Sequence, residues 1–502
     1  MSTSSGSVQN TIKKIIPAKE LKNFKPLLAA PGFVLNSIKK LLVFFEEILG
    51  IKLWIEIPEE LEDFEPELWD SLMLAAKLKD AGIIQSISRV NKNYPDEIKI
   101  PFHYHAKIYG APGGWNGSGA NLFNEEAALR AAIGEGLERY SMLNFLPKNG
   151  NFLDTSLEKI KDKALNILKI VGISPEERIA RNSVFPLYFD EKTNFRWVKG
   201  YSITEEKPVF VPLQLVSYSW RPWREGKEPM LRMFSSTGAA VDSVTEKAIL
   251  HGLLEIIERD TFFITWLNKL APRKLGFQKI GDKKLQKIFD SFEEKLLELN
   301  LLLLPTDFPC YVILAIIIDR TGVGPAVSVG GTAALSLTEA VEKSISEAIK
   351  IRNQTRKMLE RAREIQEDLS FDNPASIGIR ARALLWARRG MENEIDFLLK
   401  GEEINPEDLK DFINPTTSPK EKLDHVIQSL KTGGLEASYV DITPDQAKES
   451  GLRSIFTIIP ELQPMHIEEA LPYFYGSRLH DVPIKLGYLP AKELNKIPHP
   501  FI

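Results

Sequence analysis

The chain has very little cysteine and no large excess of either charge. Cys310 is the only cysteine among 502 residues, which excludes an intrachain disulfide framework and any metal site built from several thiolates. Such cysteine usage is typical of a reducing cytosol, so we expect a cytoplasmic protein. The 64 basic and 68 acidic residues give a formal net charge of −4, which favours neither nucleic acid nor an anionic membrane as a partner.

Long hydrophobic runs and common phosphate-binding motifs are also missing. The longest apolar runs, such as YVILAIII at 311–318, fall far short of the roughly 20 residues that a membrane-spanning helix needs, and indicate buried strands. Neither GxxxxGK[ST] nor a strand-linked GxGxxG occurs. The glycine-rich segment GAPGGWNGSG at 110–119 favours turn chemistry over a phosphate loop, and SVGGTA at 328–333 leaves the same two alternatives open.

Two regions differ in their periodicity. Residues 34–80 carry two amphipathic helical patterns, so we predict a mainly helical appendage over residues 1–80, with partner docking as its candidate role. In residues 81–502, which we predict to be the second domain, strands broken by glycine and proline alternate with long helices. The three long helical patterns lie at about 124–146, 244–270 and 336–368. This alternation predicts an α/β (α+β layered) fold. Residues 397–426 are charged and proline-spaced, and indicate a surface connection.

An acidic pattern repeats on two of these helices. GEGLERYSM at 134–142 returns as LLEIIERDTF at 253–262, so each helix carries two glutamates three residues apart, followed by an arginine. At this spacing the two carboxylates share one helix face, about 5–6 Å apart at Cβ. One interpretation is a solvated face. The apolar neighbours of the second copy, ILHGLLEII at 249–257, favour buried carboxylates that must be paired, protonated or bound to metal.

The third long helix extends this pattern. Glu347 lies in its apolar-periodic stretch, and Arg352 follows five residues later. Carboxylates from three helices, with arginines beside them, would form an oxygen-rich site for Mg²⁺ and the phosphates it carries. The predicted metal ligands are Glu135, Glu138, Glu255, Glu258 and Glu347.

Five segments resemble the YcaO-domain family in their order: AALRAAIGEGLERYS, STGAAVDSVTEKAILHGLLEIIERDTFFITWL, SLTEAVEKSISEAIKIR, IFTIIPELQPM and PHPFI. The resemblance covers about residues 95–502 and is closest to the cyclodehydratase branch, which makes azolines in ribosomally synthesised peptides. It implies a YcaO-like domain with long helices packed on mixed sheets, which holds ATP and Mg²⁺ among its three helices. It also implies ATP-dependent activation of a peptide backbone amide after attack by a Cys, Ser or Thr side chain.

The resemblance assigns further roles by position. The residues matched to nucleotide contacts are Arg139, Ser236, Thr237, Gly238, Arg259 and Arg352. The family's C-terminal tail enters the active site, which makes His499 and Ile502 candidate catalytic groups. The alternative is a flexible, proline-spaced tail. Because five terminal residues rarely carry core packing, we expect removal of 498–502 to leave folding intact.

Other readings of the same resemblance stay open. The chain departs from the family pattern at Ser118, Ala131, Thr237, Lys247, His251, Lys350 and Ile502. A degenerate protein that binds a peptide or partner without turnover would keep the fold and the acids. A thioamide- or amidine-forming enzyme would differ only in its nucleophile. The expected partners are a ribosomally made precursor peptide and a separate leader-peptide-binding protein. A homodimer is a further alternative, and neither nucleic acid nor a membrane is expected.

Overall fold

The computed structural model describes residues 68–90, 94–112, 115–147, 150–276, 282–365, 371, 377–414 and 416–501. Most of the predicted helical appendage, residues 1–67, therefore lies outside the described residues. Residues 77–502 form one compact unit. The domain boundary at residue 80 stays a prediction.

Helices and strands alternate along the described chain. The α-helices are α1 (Leu68–Asp80), α2 (Glu125–Asn144), α3 (Leu157–Ile160), α4 (Pro175–Ala180), α5 (Thr245–Leu267), α6 (Lys283–Glu294), α7 (Leu337–Glu364), α8 (Ile379–Trp386), α9 (Pro419–Thr432) and α10 (Arg478–Lys485). The strands are β1 (Ile84–Arg89), β2 (Phe102–Ile108), β3 (Gly117–Asn121), β4 (Phe152–Ser156), β5 (Asn194–Ser202), β6 (Lys207–Pro212), β7 (Ala239–Asp242), β8 (Arg273–Leu275), β9 (Leu297–Leu303), β10 (Tyr311–Asp319), β11 (Val327–Ala334), β12 (Glu403–Ile404), β13 (Ser438–Asp441) and β14 (Arg453–Ile458).

The described strands form three sheets. The first has the order β1-β2-β3, the second β11-β10-β9-β8-β12, and the third β4-β5-β13-β14-β7 with β6 paired to β5. The pairing is antiparallel except between β12 and β8, which run parallel. Long helices pack on these mixed sheets, so the predicted layered α/β fold is confirmed. The run at 311–318 is buried along its whole length within β10, as predicted.

The three predicted long helices are present as α2, α5 and α7, and each packs on a sheet. Helix α2 lies against β2 and β3, α5 lies against β14, β7 and β11, and α7 lies against β11 and β10. Asn124 caps α2 by accepting a hydrogen bond from the Ala127 amide, which fixes where this helix begins. The apolar faces of α5 and α7 contribute to the two largest hydrophobic clusters. None of the described helices is long and apolar enough to cross a membrane.

Two glycine-rich segments form strands that lie directly against helices. A β-carbon on Gly119 in β3 would lie 2.0 Å from the Ala128 carbonyl oxygen of α2. A β-carbon on Gly330 in β11 would lie 2.3 Å from the Ala348 amide nitrogen of α7. The turn predicted over 110–119 is therefore wrong for residues 117–119, because they lie in β3, where Gly117 and Gly119 have no room for a β-carbon beneath the helix.

The proposed surface connection at 397–426 is also wrong in part. Helix α9 begins within it, at a capping box in which Ser418 and Glu421 bond reciprocally to backbone amides and Pro419 occupies the first turn. Leu423 and Val426 on this helix are buried in the main core. The proline spacing thus marks a helix start as well as a connection.

Candidate functional site

Glutamates from α2, α5 and α7 are brought together in one place. The negative charges of Glu255 and Glu135 help to raise the pKa of Glu138, and those of Glu255 and Glu347 help to raise the pKa of Glu258. Carboxylates that perturb one another in this way must lie close together. We call the set the acid cluster; its members are Glu135, Glu138, Glu255, Glu258 and Glu347.

The two acids of α2 differ in their surroundings. Glu135 accepts hydrogen bonds from Arg139 Nη2 at 2.9 Å and from the Ser118 amide at 2.8 Å. Burial acts to raise the pKa of Glu135, but the charges of Arg139 and Lys350 outweigh it and hold this pKa below its ordinary value. Burial raises the pKa of Glu138 well above its ordinary value. One acid of the pair is therefore a fixed anion, whereas the other resists ionisation.

Both acids of α5 resist ionisation. Burial, with the negative charges of Glu255 and Glu347, raises the pKa of Glu258 to about 7 against the opposing charge of Arg259. Burial also raises the pKa of Glu255, although Glu255 accepts a hydrogen bond from the Gly238 amide at 3.1 Å. Arg259 Nη1 lies 3.2 Å from Glu258 Oε1, and Arg259 Nη2 lies 3.7 Å from Glu255 Oε1. Arg259 thus faces two crowded carboxylates, and the charge of Arg139 also acts on Glu255.

The segment Ser236–Gly238 lies beside α5. Gly238 has a φ of 96°, and a β-carbon there would lie 2.4 Å from the Thr457 carbonyl oxygen, so only glycine fits without strain. The Ser236 carbonyl accepts the Ala239 amide and closes the turn. This turn directs the Gly238 amide toward Glu255.

A small cavity adjoins this turn and is lined by Arg232, a cationic side chain that the sequence analysis did not select. Thr237 and Arg259 line it together with Arg232 and Gln463. Burial lowers the pKa of Arg232, and no carboxylate forms an ion pair with it among the described residues. No sequence signal distinguishes Arg232, because nothing in EPMLRMFSS sets it apart from a surface arginine.

The acid cluster fits a hydrated dication with its phosphates. Within the described part of the chain, buried polar atoms without a hydrogen-bond partner include Arg139 Nε and Arg259 Nε. The five carboxylates are bordered by three cationic side chains, those of Arg139, Arg259 and Lys350. A bound cation would neutralise the carboxylates that outnumber the cationic side chains, and a bound anion would accept hydrogen bonds from the donors that lack partners. Mg²⁺ with a polyphosphate supplies both.

The structure corrects the nucleotide role predicted for Arg352. Its Nε donates to Glu97, its Nη2 donates to Asp319 Oδ2 at 2.6 Å, and its Nη1 donates to the Pro325 carbonyl at 2.7 Å. All three nitrogens are thereby occupied in a buried ion cluster. Lys350 is the cation of α7 that contacts the acids, with Nζ 2.6 Å from Glu347 Oε2.

The C-terminal tail is packed into the core. Trp266 Nε1 donates to the Ile497 carbonyl at 3.2 Å, and Trp386 Nε1 donates to the Pro498 carbonyl at 3.0 Å. The Phe501 ring is 5% exposed and lies over Arg259, with its centroid 4.3 Å from the guanidinium carbon. The expectation that 498–502 carries no core packing is therefore wrong. Ile502 lies outside the described residues.

His499 is fully buried, and its ring contacts those of Phe262, Phe263 and His466. Its ring packs edge-on against Phe263, with the centroids 4.7 Å apart, and Nε2 lies 3.1 Å from the His466 carbonyl oxygen. Burial and the charge of Arg382 hold the pKa of His499 well below its ordinary value, so the imidazole is neutral near pH 7. The titrating role predicted for it is corrected accordingly.

The comparison with known families agrees with this site. A family model described as YcaO cyclodehydratase, ATP- and Mg²⁺-binding, matches residues 116–463. The matched stretch contains the whole acid cluster, and the description of the family names ATP and Mg²⁺ as its ligands. The chain belongs to the YcaO family.

Individual proteins are similar over different lengths. An uncharacterized protein of Methanothermobacter thermautotrophicus is 25% identical over 307 residues, which cover 59% of this chain and 72% of that protein. A heterocyclase in complex with substrate and cofactor has a TM-score of 0.68 at 18% identity, over 88% of this chain and 59% of that chain. The YcaO protein from Methanopyrus kandleri, bound with AMPPCP and Mg²⁺, has a TM-score of 0.58 at 17% identity, over 82% and 94%. These structural likenesses establish the fold, and this chain spans less than two thirds of the heterocyclase's length.

Proposed function

We propose that this chain uses ATP and Mg²⁺ to activate a peptide backbone amide, and that it forms azolines from Cys, Ser or Thr residues of a ribosomally made precursor. The observation that carries the proposal is the acid cluster, where five carboxylates, of which Glu258 is buried, lie beside guanidinium Nε atoms without hydrogen-bond partners. Family membership supports the use of ATP and Mg²⁺. A heterocyclase of the same fold, determined with substrate and cofactor, supports the reaction type.

The proposal gives each acid a task. Glu138, Glu255, Glu258 and Glu347 would hold Mg²⁺ with their carboxylates, and Glu135 would contribute a fixed negative charge next to Arg139. When bound, Mg-ATP supplies the phosphoryl group that converts the amide oxygen into a leaving group. The Gly238 amide orients Glu255 before any ligand arrives, which lowers the entropic cost of binding.

Cations and a titrating acid complete the site. Arg139 and Arg259 each keep an Nε–H donor without a hydrogen-bond partner. These donors can stabilise the negative charge that develops on a transferring phosphoryl group. Without a bound cation Glu258 has a pKa of about 7, so Mg²⁺ would displace a proton from it near neutral pH. Phe501 covers Arg259 and excludes water from that side.

The decisive experiment measures nucleotide binding by calorimetry with Mg²⁺ present. We expect wild-type protein to bind ATP, and the double variant Glu255→Gln/Glu258→Gln to lose binding by about 100-fold or more, since two charge-assisted contacts are removed. Glu339→Gln is the matched control, because Glu339 lies on α7, is not a member of the acid cluster and forms an ion pair with the exposed Lys343. Absence of ATP binding by the wild-type protein would favour the non-catalytic alternative.

Product mass separates thioamide formation from the two dehydrations once a precursor peptide is supplied, and tandem mass spectrometry then separates an azoline from an amidine by the residue that supplied the nucleophile. Each azoline removes one water, whereas a thioamide exchanges oxygen for sulfur. An amidine also removes water but uses an amine nucleophile. We further propose a separate leader-peptide-binding partner, so the chain alone should process its precursor slowly. Full-rate processing without that partner would contradict this part of the proposal.

A further inference from the structure

A second cluster of ligand-type side chains lies where the C-terminal tail meets the body of the fold. His466, Glu469 and His499 each offer one ligand atom, and these three atoms lie within 4.8 Å of one another. We call this set the tail cluster. His466 is 2% exposed and His499 is 0% exposed, so these imidazoles have left water. None of the three is a member of the acid cluster.

The hydrogen bonding of the tail cluster is incomplete. The Nδ1 atoms of His466 and His499 are buried and have no hydrogen-bond partner among the described residues. A buried polar atom without a partner destabilises the fold, because it has lost its hydrogen bonds to water. A metal ion bound to such an atom would replace those bonds. His499 Nε2 already lies 3.1 Å from the His466 carbonyl oxygen, so Nδ1 is the nitrogen of His499 that is left for an ion, and the two imidazole centroids lie 4.8 Å apart.

The distance between two of the groups fits shared coordination better than a strong hydrogen bond. His466 Nε2 lies 3.3 Å from Glu469 Oε2, whereas a charge-assisted contact of this type is typically about 2.7–2.9 Å. Two ligands on one tetrahedral ion, each with a bond of about 2.0–2.2 Å, are separated by roughly 3.3–3.6 Å.

A neighbouring arginine orients the carboxylate. Arg382 donates to Glu469 Oε1 from Nη2 at 2.8 Å and from Nε at 3.1 Å, and its Nη2 also donates to the Ile467 carbonyl. These bonds occupy one carboxylate oxygen and leave the other beside His466. Outer partners of this kind fix the ligands of protein metal sites.

We propose that the tail cluster binds one divalent transition metal of the zinc class, through two imidazole nitrogens and one carboxylate oxygen. This donor set suits zinc, cobalt or nickel and differs from the all-oxygen set of the acid cluster. The ion joins His499 of the tail to His466 and Glu469 of the fold body. Because Phe501 follows two residues later and lies over Arg259, the metal holds the tail in its covering position.

The test measures metal binding directly and does not depend on turnover. Untagged protein is stripped with a chelator and dialysed, and Zn²⁺ or Co²⁺ is then titrated and quantified by calorimetry and elemental analysis. X-ray absorption at the metal edge reports whether imidazole ligands are present. We expect one equivalent with imidazole scattering in the wild type, and the same in Glu255→Gln/Glu258→Gln, because that variant changes only the acid cluster.

Ligand variants then locate the site. His466→Ala and His499→Ala should each lose the equivalent, and Arg382→Gln should weaken it by about 10- to 100-fold. His480→Ala, which alters an exposed imidazole, should retain it. Melting temperatures show which variants fold. The metal titration of the wild-type protein tests the proposal even if a histidine variant does not fold. No bound equivalent in the wild type, or imidazole scattering that persists in both folded histidine variants, would overturn the proposal. Failure of ATP binding would leave it intact.

Discussion

The two copies of the Glu-x-x-Glu-Arg pattern differ in how their charges are held. On α2, Glu135 is a fixed anion, with Arg139, Lys350 and the Ser118 amide around it. On α5, both Glu255 and Glu258 have raised pKa values. The difference follows from packing, since Lys350 adds its charge to that of Arg139 beside Glu135, whereas Arg259 is shared between both acids of α5. A repeated motif therefore does not imply a repeated role.

The copies also differ in what covers them. On the α2 side, strand β3 runs directly against the helix backbone at Gly117 and Gly119. On the α5 side, Phe501 covers the arginine, and a β-carbon on Gly331 would lie 2.5 Å from Phe501 Cζ and 3.1 Å from Glu258 Oε1. The first copy is held by backbone close packing, and the second is held by the tail. Separate substitutions in β3 and in the tail test whether each copy depends on its own neighbour.

Removal of the tail should give the largest effect and act on the α5 copy. Truncation after Ile497 deletes Phe501 from the core, and loss of a buried aromatic ring costs about 3–5 kcal/mol in free energy of unfolding. We also expect kcat to fall about 10-fold or more, because Arg259 loses its cover and water enters. Denaturant unfolding and steady-state turnover measure the two effects.

Phe501→Leu is the matched control for this truncation. It keeps an apolar side chain, so the free energy of unfolding should fall by only about 1–2 kcal/mol, while the contact with Arg259 is lost. A truncated protein as stable as the wild type would mean that the tail is not packed in solution.

Much of this fold was predictable from local patterns. The three long helices and the buried strand at 311–318 follow from periodicity, because each pattern encodes its own element. The role of Lys350 was also accessible: it lies three residues after Glu347 and thus on the same helix face. Arg352 lies five residues after Glu347, about 140° around the helix, and points to another set of partners.

Other features depend on tertiary contacts that no local pattern contains. The burial of His499 and Phe501 arises from tryptophans on two separate helices that bind the tail carbonyls. The isolated Arg232 becomes distinctive only when the cavity beside Thr237 forms. The glycines of β3 look like turn residues in sequence, because the requirement for a small side chain comes from the helix above them.

A smaller effect is expected from substitutions at glycines beside the α2 copy. Gly119→Ala places a methyl group 2.0 Å from the Ala128 carbonyl oxygen, so β3 and α2 must separate, at a cost of about 1–3 kcal/mol in free energy of unfolding. Gly134→Ala is the control within α2, since no atom lies within 4 Å of the new methyl group. There we expect about 0.5–1 kcal/mol of stabilisation. Equal effects in denaturant unfolding would contradict the close packing described for β3.

The last effect concerns pH and separates the two copies by their charge states. Glu258 has a pKa of about 7 in the folded protein, above the ordinary value of 4.5 for a glutamate, so folding disfavours its ionised form. Its contribution to stability is therefore fully present below about pH 4.5 and is lost as pH rises through 7. In the Glu258→Gln variant, the free energy of unfolding should therefore decline less between about pH 4.5 and 7 than it does in the wild type.

Cation binding should show the opposite trend, because a dication competes with the proton on Glu258. The affinity for Mg-ATP should rise by up to about tenfold per pH unit below pH 7 and level off above it. Glu258→Gln should flatten this profile at a lower affinity. Glu135→Gln should weaken binding without flattening it, because Glu135 is already ionised throughout this range. Calorimetric titrations at several pH values between 5.5 and 8.5 measure both profiles, and a slope that survives Glu258→Gln would assign the titration to another acid of the cluster.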